Sequence, residues 1–189
     1  MTHRLAVNIA DFLLCDGTIQ KEDYDIYVYG YEILLDTVTQ LAVLLVAGVV
    51  THVFFETVVF LLVFSYIRKY SGGYHASTKC MCNIITYLVW GIVMHCSILF
   101  ELSIMIKIVL CATVTVITYC RAPVEHPNKP IGEECVVYRK KALCRVMIVA
   151  FCSVVMHDGV PICSNIMCWT LTCIGVSILK KGGMNSENS

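Results

Sequence analysis

Three stretches follow one another without a gap: VFFETVVFLLVFSYI (Val53–Ile67), RKYSGGYHASTKCMC (Arg68–Cys82) and NIITYLVWGIVMHCSILF (Asn83–Phe100). Two apolar runs enclose a polar break that carries two adjacent glycines, one histidine and two cysteines. A spanning helix needs about 20 apolar residues, within a range near 17–25. The flanks therefore read as membrane helices, the first of them short. Polar and ionisable groups at membrane depth are costly, and they usually mark function. The break is a candidate active site as well as a turn in the fold.

Working outward, further apolar segments lie at Tyr31–Val50, Ser103–Tyr119, Leu143–Met156 and Ile162–Leu179. Leu143–Met156 is short as well. The chain has 189 residues, 58% of them hydrophobic and 15% charged, with a mean hydropathy of +0.74. Soluble domains average roughly 45–50% apolar and about 25% charged residues. The expected fold is an all-α polytopic integral membrane bundle of about six segments, counting the two flanks of the break. The two short segments either draw on flanking residues or enter the membrane only partly.

Before the first segment, Leu5, Ile9, Phe12 and Leu13 recur at helical spacing, which predicts an amphipathic interfacial helix over Thr2–Cys15. The polar, tyrosine-rich stretch Asp16–Tyr29 suits a membrane boundary. Arg4, Asp11 and Asp16 interrupt Met1–Ile19, so no cleavable signal is expected. Residues 1–182 read as one membrane-embedded domain, with an interfacial region at 1–29, an internal loop at 121–142 and a flexible tail at 183–189.

Charge sets the orientation. With both termini in the cytoplasm, every basic residue of the 14 except Lys107 falls on the inside, as the positive-inside rule requires. The zero formal net charge argues against a nucleic-acid partner. The 12 cysteines sit mostly singly in or beside apolar runs and include no CxxC, so they read as free thiols. The internal loop, RAPVEHPNKPIGEECVVYRKKA (Arg121–Ala142), is extended over its proline-rich first half. Its second half, from Glu133, suits the start of a helix.

Within the break, Ser71, Ser77, Cys80 and Cys82 are candidate nucleophiles, and His75 is the nearby base. Cysteine is favoured because its thiolate forms readily beside imidazole or at a helix N-terminus. A straight helix would hold His75 and Cys82 about 10.5 Å apart along its axis. Direct proton transfer needs roughly 2.6–3.2 Å. The chain must therefore bend, and Gly72-Gly73 supplies the freedom to do so.

The pattern Arg68-x4-Gly73-x-His75-x6-Cys82 resembles the accessory gene regulator B (AgrB) family of bacterial membrane cysteine peptidases. The loop APVEHPNKP (Ala122–Pro130) is similar to that family's internal loop. The resemblance implies that His75 and Cys82 form the catalytic pair and that Arg68 and Gly73 support it. It also selects Cys82 over Cys80. The implied activity is tail removal from an AgrD-like quorum-sensing propeptide through a thioester, followed by closure of a thiolactone or lactone ring. Cytoplasmic-face action at the bacterial plasma membrane is implied, with no cofactor and no metal. A homodimer is expected, since so small a bundle has little room to enclose a peptide. Two other readings compete: a small transporter or soft-metal carrier using Cys80 and Cys82, and a non-catalytic membrane scaffold.

Overall fold

The computed structural model describes residues 2–71, 79–122 and 135–181. The described residues form seven helices: α1 (Thr2–Cys15), α2 (Tyr24–Val50), α3 (Phe54–Ser71), α4 (Lys79–Leu99), α5 (Ile104–Arg121), α6 (Cys135–Val155) and α7 (Pro161–Lys181). Chain packing divides them into two compact units, Met1–Ala47 and Gly48–Ser189.

In the first unit α1 and the front of α2 are tied by two polar contacts. Tyr24 donates its hydroxyl to Asp11 at 2.6 Å, and His3 meets Glu32 at 3.3 Å. Helix α2 begins at Tyr24, well ahead of the apolar run that starts at Tyr31. Asp25 in its first turn, together with the Tyr24–Asp11 bond, carries the helix past the end of the hydrophobic signal. The buried residues of α1 are Ala6 and Ala10, whereas Leu5 and Phe12 stay exposed. Ile9 and Leu13 are partly covered, so the exposed apolar surface of α1 is carried by Leu5 and Phe12. Gly17, at φ +73°, ends α1: its N–H reaches Leu14 O and the Thr18 N–H reaches Leu13 O. This paired closure needs a left-handed residue, which glycine adopts without a Cβ penalty.

In the second unit α7 is the central element, packed against α3, α4, α5 and α6. Ile166, Cys168, Leu171, Ile174 and Ile178 line its buried surface. Gly175 lets α5 approach closely, since a Cβ there would lie 3.1 Å from a Val114 methyl. Small residues at helix contacts are how membrane helices gain packing without a hydrophobic drive between them. Outward-facing positions remain large and apolar, including Phe55 at 80% exposure and Phe151 at 71%. In water such a surface would aggregate; lipid is its solvent.

Among the described residues, four helices are long and apolar enough to cross a membrane: Tyr24–Val50, Met81–Leu99, Ile104–Arg121 and Pro161–Leu179. The protein is therefore an all-α, multi-pass membrane bundle. Helices α3 and α6 contain the two segments that read as short. Helix α3 carries Glu56 in its first turn and Arg68 and Lys69 in its last, and α6 carries Arg139, Lys140, Lys141 and Arg145. In α3 these charges complement the helix ends, whereas in α6 the cations lie in the N-terminal half; in both helices they shorten the apolar stretch.

Candidate active site

The end of α3 delivers Arg68 and the first turn of α4 delivers Cys82. The two lie close enough to interact electrostatically. Arg68 is half-buried, with its guanidinium carbon 5.1 Å from the centroid of the Phe64 ring. Cys82 is also half-buried, and its carbonyl accepts the Thr86 hydroxyl at 3.1 Å. A helix start is where backbone dipoles favour negative charge, and Cys82 occupies one. His75 and Gly73 lie outside the described residues. Of the four expected site residues, Arg68 and Cys82 are thus among the described ones, within electrostatic range of each other.

The remaining candidate nucleophiles fare differently. Ser71 is fully buried at the end of α3, which denies a peptide substrate access to it. Ser77 lies outside the described residues, as does the side chain of Cys80. The described cysteines are free thiols. Among the described residues no group of three or more His, Cys, Asp and Glu side chains is arranged to hold a metal.

Around this end of the unit, α3 and α6 share a cluster of cations and rings. The Tyr70 ring meets the Tyr138 ring at 5.5 Å with a tilt of 51° and lies beneath Lys141 at 5.4 Å. The guanidinium of Arg145 sits 4.3 Å from the Tyr66 ring and 4.1 Å from the Tyr70 ring. Arg139 donates to Ala122 O at 2.9 Å, fastening the start of α6 to the end of α5.

A second polar cluster, not anticipated from sequence, closes the opposite end. Lys107 is fully covered, and its Nζ lies 3.0 Å from His157 Nδ1 and donates to the Ser164 hydroxyl. Ser153 and Ser164 each donate to the other's backbone carbonyl, pinning α6 to α7. Glu101 and Asp158 lie within electrostatic range of Lys107 and offset its charge. The available signal was a lone lysine inside an apolar segment, which usually has partners in the bundle interior.

The family described as accessory gene regulator B matches residues 6–179 of the chain. AgrB-like protein 2 of Clostridium perfringens strain 13 is 27% identical over 204 aligned positions, covering 95% of each chain. An AgrB-like protein of C. perfringens strain SM101 is 26% identical with the same coverage of 95% on both sides. Protein FsrB of Enterococcus faecalis strain OG1RF is 26% identical over 140 positions, 72% of this chain and 56% of that one. No solved structure matches the chain significantly.

Proposed function

Because the chain belongs to the accessory gene regulator B family, we propose that it is a membrane cysteine endopeptidase that trims and cyclises a quorum-sensing propeptide. The observation that carries this reading is Cys82 at the start of α4 beside Arg68, in a chain matched by the family from residue 6 to residue 179. The site works at the cytoplasmic face, where the positive-inside rule puts the ends of α3 and α6. An AgrD-like propeptide lies on the inner leaflet and presents its C-terminal region to a homodimer of this chain.

His75 removes the thiol proton of Cys82, and the sulfur attacks a peptide carbonyl carbon. The peptide C–N bond then breaks, and the departing amine takes the proton back from His75. The N-terminal part of the peptide remains as a thioester on Cys82. A cysteine or serine side chain within that peptide gives its proton to His75 and attacks the thioester carbonyl, the Cys82 sulfur leaves as a thiolate, and a thiolactone or lactone ring closes. Water would give a linear product at the same step, so a site at the membrane boundary favours the ring. On this reading Arg68 holds the negative charge that develops on the attacked carbonyl oxygen. The role proposed for Gly73 is the backbone freedom that His75 needs to act on Cys82.

Coexpression of the chain with its propeptide, followed by mass spectrometry of the peptide, tests the assignment. Cys82→Ala and His75→Ala are each expected to abolish tail removal while Cys80→Ala leaves it intact. Normal processing by either of the first two variants would sink the mechanism. Loss with Cys80→Ala alone would move the nucleophile.

A further inference from the structure

Helices α3 and α6 hold between them an open groove of about 530 Å³, which tail removal does not use. Leu62, Val63 and Val149 form its apolar wall, and Tyr66, Lys69 and Arg145 its polar lip. Leu62 is itself 65% exposed, so the wall continues onto the surface that lipid covers. Lys69 is exposed as well.

Arg145 is held in place at that lip. The Tyr66 and Tyr70 rings flank its guanidinium, and one of its N–H groups donates to Tyr66 O. A planar guanidinium has five N–H donors, so most of this one's capacity is left for another partner. Neither Arg145 nor Lys69 has a carboxylate partner among the described residues. Stacking fixes the cation without neutralising it.

We propose that this groove binds one anionic glycerophospholipid, with its headgroup phosphate on Arg145 and Lys69 and an acyl chain along Leu62, Val63 and Val149. A phospholipid joins a phosphate to an apolar chain at short range, which matches a cationic lip above an apolar wall. Arginine suits phosphate because its fork can donate two parallel hydrogen bonds. A soluble anion would satisfy the lip and leave the wall unused, and an acidic peptide would set polar backbone against it.

Native mass spectrometry of the full chain, purified in mild detergent, tests the site with dioleoylphosphatidylglycerol and dioleoylphosphatidylcholine as probes. The wild type is expected to retain the anionic lipid in preference to the zwitterionic one. Each basic side chain near an anionic headgroup contributes about a fivefold preference, so Lys69→Gln/Arg145→Gln should lower retention roughly 25-fold. Leu62→Trp fills the groove at an exposed position and keeps both charges, and it too should displace the lipid. Lys140→Gln removes an exposed charge outside the groove lining and should change retention little. Equal retention of both lipids by the wild type would overturn the proposal. Unchanged retention by Leu62→Trp would also do so, whether or not the double variant folds. Displacement of the bound lipid by inorganic phosphate or by triglutamate would replace it with a general anion or peptide site.

Discussion

At one end of the second unit Arg145 lies between two tyrosine rings at a groove, while at the other Lys107 is fully covered and bonded to His157 and Ser164. Both are basic residues in a membrane bundle, yet the first keeps most of its donors available and the second has two of its three engaged. The side chains explain the difference. A guanidinium lies flat on aromatic faces and retains unused N–H groups, whereas an ammonium is a compact point charge that needs hydrogen-bond acceptors around it. The end with Arg68, Cys82 and Arg145 is therefore suited to recognition and chemistry. The end with Lys107, Ser153 and Ser164 is suited to locking α5, α6 and α7 together.

The sharpest test of that division is Arg68. Removing a group that stabilises an oxyanion typically costs about 10²–10³ in rate. Arg68→Ala should slow tail removal by about 10²-fold while the purified protein unfolds at nearly the wild-type temperature. Arg68→Lys should recover part of the rate, because it restores a cation without the planar fork. A wild-type rate in Arg68→Ala, measured by peptide processing in reconstituted vesicles, would remove the electrostatic distinction between the ends.

Lys107 should show the reverse pattern. Lys107→Ala opens space in a covered site and removes the group that His157 Nδ1 and the Ser164 hydroxyl oxygen bond. Unmade buried hydrogen bonds cost about 1–3 kcal/mol, so stability should fall by about that amount in thermal unfolding in detergent. Lys107→Met keeps most of the volume and should lose less. The processing rate per folded molecule should stay near wild type in both. A large loss of rate in a variant that remains folded would mean that the two ends act as one coupled site.

The two ends were not equally legible in the sequence. The apolar runs foretold where helices would form, and the polar break at Arg68–Cys82 foretold a helix start near Cys82. The spacing of Arg68 and Cys82 could not reveal their proximity, which depends on how α3 and α4 pack. Lys107 is likewise far along the chain from His157 and Ser164, and it meets them only because α5 packs where α6 turns into α7. Hydropathy grades each residue alone, so Lys107 looked like an exception to the charge rule rather than the centre of a cluster. In α1 the periodicity was visible, but it did not indicate that Ala6 and Ala10 are the buried positions.

The smallest expected effects lie in the turn from α2 to α3, at the same end as Lys107, where two substitutions should act with opposite signs. Helix α2 closes through His52 N–H to Val49 O and Val53 N–H to Gly48 O, with His52 at φ +60°. A non-glycine residue in this left-handed region costs about 1–2 kcal/mol. Glycine avoids that cost but loses more backbone freedom on folding, by roughly 0.5–1 kcal/mol. His52→Gly should therefore raise stability by about 0.5 kcal/mol. At Gly48 a Cβ would lie 2.6 Å from Thr57 Oγ1, the atom that accepts the Trp90 indole N–H at 3.0 Å. Gly48→Ala must push Thr57 aside and disturb that bond, and overpacking of this kind costs about 1–3 kcal/mol. Parallel thermal unfolding of the two variants checks the signs. Destabilisation by His52→Gly would show that the histidine side chain contributes more at this end than its backbone strain removes.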